Sequence, residues 1–91
     1  MHKLLVEFLG TFALMAVILY SNGNWFLIGL MLGIDVLLGG KISGGCFNPA
    51  VTLGSCMANN LSYSEFLPYV IVELLGAALA ALIYAKTKKR K

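Results

Sequence analysis

The sequence predicts an all-α membrane protein with three transmembrane helices and one short re-entrant half-helix. Of its 91 residues, 59% are hydrophobic and only 12% are charged, whereas about a quarter of the residues in a soluble domain are charged. Three apolar stretches each approach the roughly 20 residues that a bilayer span requires. A glycine-rich segment with a helix-start signal separates the second stretch from the third. This composition excludes a compact soluble domain, because so few polar groups could not cover its surface.

The first span is predicted over residues 4–20, and the polar residues 21–24 predict the turn that follows it. A basic start before an apolar run is also typical of a cleaved signal peptide. Against that interpretation, Glu7 lies inside the run, no cleavage site of small residues follows, and two further apolar stretches come later. A membrane span is therefore favoured.

The second span is predicted over residues 25–40, where Trp25 suits the boundary with the lipid headgroups. Gly29 and Gly33 form a pair of small residues that predicts the close approach of a neighbouring helix. Asp35 is unusual in this position, because an acid that faces lipid costs at least about 2.5 kcal/mol.

A re-entrant loop and half-helix are predicted over residues 43–57. Asn48 is a favourable N-cap, and Pro49 follows at the first helical position, where its missing N–H costs nothing. Ten helical residues reach only about 15 Å, half of the hydrocarbon core. Lipid cannot satisfy the backbone of the glycine-rich entry, so this segment must line a cavity or be buried in protein.

The third span is predicted over residues 66–85, and a basic tail follows at residues 86–91. Gly76 and Ala80 give this span a face of small residues. The tail holds five of the seven Lys and Arg residues, so the basic isoelectric point comes from one terminus and indicates no nucleic-acid partner.

Two further acids, Glu7 and Glu73, lie inside different spans. We expect each to be a structural group that accepts hydrogen bonds from the irregular glycine-rich backbone, which has donors to spare. The alternative is a proton or cation site, since intramembrane acids often mark ion pathways.

Residues 43–54, Ser-Gly-Gly-Cys-Phe-Asn-Pro-Ala-Val-Thr-Leu-Gly, resemble the Asn-Pro-Ala region of the aquaporin (major intrinsic protein) family. Residues 7–12, Glu-Phe-Leu-Gly-Thr-Phe, are similar to the family's first span, and residues 75–77 are similar to the closing helix of a repeat. The resemblance covers nearly the whole chain. It implies that residues 1–91 form a single repeat, equivalent to one half of the family's inverted-repeat fold. Val51 is similar to the first half, whereas Asp35 is more similar to the second.

The resemblance implies a passive channel in which two half-helices meet head to head at mid-membrane. Asn48, Pro49 and Ala50 form the pore signature. The half-helix carries about +0.5 charge at its N-terminus, which opposes cations, and its free N–H groups and the Asn48 amide donate hydrogen bonds to a passing solute. Carbonyl groups of residues 43–47 would supply the acceptors.

The resemblance also implies a selectivity filter near the outer mouth. The family places an arginine directly after one Asn-Pro-Ala, and Val51 stands at that position here. The other filter positions carry over to Ile28, Val36 and Gly45, which are all small or apolar. We therefore expect a wider passage, for water and small neutral solutes such as glycerol.

Cys46 precedes the signature by two residues and is predicted to be a thiol adjacent to the pore. A mercurial is then expected to block flow, and Cys46→Ser to remove the block; two buried cysteines are the alternative. The spacing of Cys46 and Cys56 on a half-helix is too long for a disulfide. No cluster of residues suggests a metal site, a cofactor or an enzyme.

A single repeat needs an oppositely oriented partner. The resemblance implies either an antiparallel homodimer, assembled further into a tetramer of pores, or pairing with another half-channel in the lipid bilayer. The positive-inside rule places the C-terminal tail in the cytoplasm. Two other functions stay open: a small proton-coupled exporter that uses Glu7, and a non-conducting membrane remnant or accessory protein.

Overall fold

A computed structural model describes residues 2–88 and contains four α-helices. Three of them are long and apolar enough to cross a membrane, and the remaining one is short. This arrangement confirms the predicted fold class. The helices are α1 (His2–Tyr20), α2 (Trp25–Ser43), α3 (Pro49–Met57) and α4 (Phe66–Thr87), the last preceded by a 3₁₀ turn at Tyr63–Glu65.

The helix ends follow local capping chemistry. Asn24 caps α2, because its side chain accepts a hydrogen bond from the N–H of Leu27 at 3.0 Å. The same helix continues to Ser43 and ends at Gly44, which adopts a left-handed conformation with φ of 93°. Helix α4 extends to Thr87 and so includes the first residues of the basic tail. The remaining tail residues 89–91 lie outside the described residues.

Helix α1 packs against both α2 and α4, and α3 packs against α4. Gly76 permits the close contact of α4 with α1, since a Cβ at this position would lie 2.6 Å from the carbonyl oxygen of Phe8. By contrast, a Cβ at Gly29 or Gly33 would meet nothing within 4 Å. The expectation that this glycine pair brings a neighbouring helix close is therefore wrong for the helices of this chain.

Polarity is inverted relative to a soluble domain. Large apolar side chains such as Leu37, at 78% exposure, cover the outside. The interior contains a set of polar side chains near the loop between α2 and α3. Because a lipid environment satisfies apolar surface and leaves polar groups to find partners within the protein, this distribution fits a bilayer. The buried polar residues are Glu7, Thr11, Asp35, Ser43, Thr52 and Glu73.

Candidate functional site

The loop between α2 and α3 has an unusual backbone. Gly44 and Gly45 have φ values of 93° and 68°, and Phe47 has a φ of 54°. Positive φ is strained for a residue with a side chain, so the surrounding structure must hold Phe47 in place. The result is a tightly folded loop whose backbone N–H groups at Cys46 and Phe47 converge on one side chain.

The ring of Phe47 anchors this loop in a cradle made by two glycines. Phe47 is only 2% exposed. A Cβ on Gly10 of α1 would lie 2.2 Å from the ring, and one on Gly39 of α2 would lie 3.3 Å from it. The ring thus occupies space that exists only because both helices have no side chain there.

The carboxylate of Glu7 receives three hydrogen bonds from the loop region. Its Oε1 accepts from the N–H of Phe47 at 2.7 Å, and its Oε2 accepts from the N–H of Cys46 at 3.1 Å. The Ser43 hydroxyl donates to Oε2 at 2.6 Å. Glu7 is completely buried. Its carboxylate thus supplies the hydrogen-bond acceptors that the loop N–H groups need and that lipid could not provide.

Two side chains of α4 hold the other parts of the loop and the half-helix. Tyr69 donates its hydroxyl hydrogen to the carbonyl oxygen of Ser43 at 2.7 Å. The hydroxyl of Thr52 lies 2.7 Å from Oε2 of Glu73. The hydrogen-bond donor to Glu73 is thus a side chain of α3, whereas the donors to Glu7 come from the loop region, and the structural role of Glu73 stays a prediction. The Ser43 carbonyl therefore already has a hydrogen-bond partner within the protein. Of the carbonyl groups of residues 43–47 predicted to face a solute, this one is not free.

Asn48 caps α3 and presents its amide outward. Its Oδ1 accepts hydrogen bonds from the N–H groups of Ala50 at 2.7 Å and Val51 at 3.4 Å, while Pro49 occupies the first turn. Its Nδ2 makes no hydrogen bond within residues 2–88, and the residue is exposed. The side-chain NH₂ group is therefore available as a donor at the positive end of a helix.

The carbonyl oxygens of residues 44–47 accept no hydrogen bond from any other group of the described chain. They lie in the loop that leads directly to Asn48. Acceptors and donors thus follow one another along the backbone, next to largely apolar helices. This arrangement is suited to a small neutral molecule that both donates and accepts hydrogen bonds, such as water or an alcohol.

The predicted filter positions do not all meet in this chain. Val36 lies beside Gly45, since a Cβ on Gly45 would be 3.6 Å from the Val36 side chain. Val36 and Val51 are about half exposed, and Val51 adjoins Asn48 in the first turn of α3. Ile28 lies two helical turns before Val36, about 12 Å along α2. The assignment of these four positions to a filter stays a prediction.

Cys46 is 4% exposed and its thiol lies 3.7 Å from the hydroxyl of Ser55 on α3. The side chain is thus turned toward the half-helix, while its backbone N–H binds Glu7. A mercurial would have to enter between the loop and α3 to reach it. It stays a prediction that a mercurial bound to Cys46 blocks flow, and the reagent must first reach the space between the loop and α3. Both Cys46 and Cys56 are free thiols.

The sequence assigns no role to the side chains of several residues that build the site. Phe47, Thr52 and Tyr69 are all buried, and Ser43 donates to Glu7. Thr52 could have been noticed as a polar residue in an otherwise apolar stretch of α3. Nothing in the local sequence indicates that Gly10 makes room for Phe47. Within residues 2–88, no group of His, Cys, Asp and Glu side chains is arranged to hold a metal.

Comparison with known proteins places this site in a family context. The family model described as major intrinsic protein matches residues 22–91. Aquaporin Z of Brucella melitensis is 40% identical, over 92% of this chain and 43% of its own length. A glycerol uptake facilitator protein-like 6 of Lactiplantibacillus plantarum is 36% identical, over 89% of this chain and 41% of its own length. A glycerol uptake facilitator protein of Streptococcus pneumoniae is 31% identical, over 91% and 42% respectively.

The chain therefore spans about two fifths of the length of the curated relatives it matches. No solved structure shows a significant match. The residues matched by the family model contain α2, the loop, the half-helix and α4, whereas α1, with Glu7 and Gly10, precedes them.

Proposed function

The chain belongs to the major intrinsic protein family, and from that premise we propose that it supplies one half of a passive channel for water and small neutral solutes such as glycerol. It is an integral multi-pass membrane protein of a family whose members are channels and not enzymes. Relatives named for water and for glycerol align with it comparably well. Position 51 holds a valine and not a large or charged residue. This supports a passage wide enough for glycerol as well as water.

The observation that carries this proposal is the outward tip of the half-helix. Asn48 offers a free amide donor beside the free carbonyl acceptors of residues 44–47. A polar pair of this kind, exposed on a chain with an apolar exterior, needs either a solute or a partner. A passing solute that exchanges hydrogen bonds with both satisfies the requirement.

We propose that the pore is completed by a second half of opposite orientation. The groove next to the tip, with a volume of about 200 Å³, is lined by α1, α4 and the residues Asn48 and Pro49. This groove is partly open at the surface of the single chain. The partner is either a second copy, which gives an antiparallel homodimer that assembles further into a tetramer of pores, or a different half-channel.

Replacing Asn48 with tryptophan is expected to abolish solute flow, because the indole removes the donor and fills the space in front of the helix. Swelling of proteoliposomes in water and glycerol gradients measures this. Asn24→Trp is a matched control, since it also removes an N-cap, from α2, and costs about 1 kcal/mol of helix stability. The control should conduct like the parent. If the parent protein gives no swelling above empty vesicles, the chain is a non-conducting remnant or accessory protein.

We expect the C-terminus to lie in the cytoplasm, and tags at both termini can report this. Lys3 and Lys41 lie at one end of the helices and Lys86 and Lys88 at the other, where the rest of the basic tail follows in sequence. Protease or dye accessibility in intact cells measures this orientation. A second population with reversed tags would identify antiparallel pairing of two copies. One fixed population would require a different half-channel, and a uniformly external C-terminus would contradict the proposed orientation.

Export coupled to proton movement through Glu7 is less well supported. Glu7 has no exposed surface and its two oxygens accept three hydrogen bonds from the loop region. A transported cation would have to replace those donors. The geometry favours a structural role for this acid.

A further inference from the structure

Glu7 and Glu73 form an acid pair in the protein interior, next to the loop and the half-helix. Both residues have no exposed surface, and their carboxyl groups are neighbours. One of them comes from α1 and the other from α4, so the packing of these two helices forces the groups together. Two negative charges in such a site would repel each other strongly, because the surroundings are apolar.

Within residues 2–88, no cation pairs with either acid. The only ion pair within residues 2–88 joins Lys3 and Glu65, at 2.6 Å. The other titratable groups near the pair are a carboxyl, a thiol and a phenol, and none of them can carry a positive charge. They are Asp35 on α2, Cys46 in the loop and Tyr69 on α4.

The two acids have opposite hydrogen-bond surroundings. Glu7 accepts three hydrogen bonds, and all three of its partners are donors. The Oε1 atom of Glu73 is buried and has no hydrogen-bond partner in the described part of the chain. Its Oε2 shares the Thr52 hydroxyl with the carbonyl oxygen of Asn48, at 2.7 and 3.0 Å. Because Thr52 has one hydroxyl hydrogen, it can donate to only one of these two acceptors at a time.

From this asymmetry we propose that the pair is a proton-binding site, in which one proton from solvent resides on Glu73 while Glu7 stays ionised. The proton forms an O–H bond on Glu73 and turns an acceptor without a partner into a donor. The neighbouring carboxylate of Glu7 is the acceptor. The pair then has a net charge of −1 instead of −2, and every donor and acceptor of both groups is accounted for.

The proton connects the two parts of the site. Glu7 holds the loop through Cys46 and Phe47, whereas Glu73 holds the half-helix through Thr52. A hydrogen bond between the two acids fixes the half-helix relative to the loop. Glu73 is thus a positioning residue, and the inference does not depend on whether the channel conducts.

Infrared difference spectroscopy of the full chain in lipid tests the proposal. The parent minus Glu73→Gln spectrum should contain the C=O stretching band of a protonated carboxylic acid, shifted by exchange into D₂O. Asp35, whose Oδ2 is also buried without a partner, provides the matched control: the Glu73 band should persist in Asp35→Asn. A difference spectrum with only carboxylate bands would overturn the proposal.

The folding of the variants gives an independent readout. Glutamine mimics a protonated acid, since its NH₂ group donates and its carbonyl accepts. Glu73→Gln should therefore keep the thermal midpoint of the parent, whereas Glu73→Leu, which has neither group, should lower it. A Glu73→Gln protein that is as unstable as Glu73→Leu would show that the ionised form is required and would contradict the proposal.

Discussion

Replacing Gly76 with alanine will separate α1 from α4 and lower the free energy of unfolding by about 1–3 kcal/mol, the usual range for overpacking. The added Cβ would lie 2.6 Å from the carbonyl oxygen of Phe8 and 3.2 Å from the backbone nitrogen of Phe12. Both neighbours are backbone atoms of a helix, so neither can rotate away. The helices must move apart, and the contact between Glu7 and Glu73 would be disturbed with them.

The matched control is Gly29→Ala. It also adds one methyl group in the middle of a helix, with the same gain in helix propensity of about 1 kcal/mol. A Cβ at Gly29 meets nothing within 4 Å. Unfolding in detergent, followed by circular dichroism, should show a loss for Gly76→Ala and none for Gly29→Ala. Equal stability of the two variants would mean that the α1–α4 contact is looser than described.

Replacing Glu7 with glutamine will release the loop before the half-helix and reduce solute flow to the background of empty vesicles. The amide NH₂ that replaces one carboxylate oxygen cannot accept a hydrogen bond. At least one of the donors from Ser43, Cys46 and Phe47 then loses its acceptor. Each buried donor left without a partner costs about 1–3 kcal/mol, and Phe47 already has a strained backbone.

Glu65→Gln is the control for loss of a carboxylate elsewhere. Glu65 pairs with Lys3 at the exposed end of the helices, where an ion pair contributes at most about 1 kcal/mol. We expect this variant to fold and conduct like the parent in the swelling assay. A Glu7→Gln protein that conducts normally would show that the Phe47 ring and the Tyr69 hydroxyl hold the loop without the Glu7 carboxylate.

The local features of the fold could be predicted from the sequence. The three spans follow from long apolar runs, and the half-helix begins at the signal given by Asn48 and Pro49, as the structure confirms. The sequence predicts a second span that ends near residue 40, whereas α2 continues to Ser43. Glycines usually mark a helix end, but Gly39 and Gly40 remain helical and the left-handed Gly44 terminates the helix.

The contacts between distant residues could not be predicted in the same way. The sequence offered two glycine faces, and only the one at Gly76 is used within this chain. The sequence predicts the same role for both acids, as acceptors of hydrogen bonds from the glycine-rich backbone. In the structure, Glu7 binds the loop backbone and Glu73 binds the Thr52 hydroxyl. Choosing between such alternatives requires the relative positions of the helices, which short-range patterns do not contain.

By itself, the sequence determined that this protein is helical and membrane-embedded, with a capped half-helix between its second and third spans. Those properties depend on hydropathy and capping, which act over a few residues. The tertiary structure alone decided which polar groups meet in the interior. The hydroxyl of Ser43 reaches Glu7 across 36 positions of the chain. Since buried donors and acceptors in a membrane can find partners only within the protein, helix packing selects those partners and thereby forms the site.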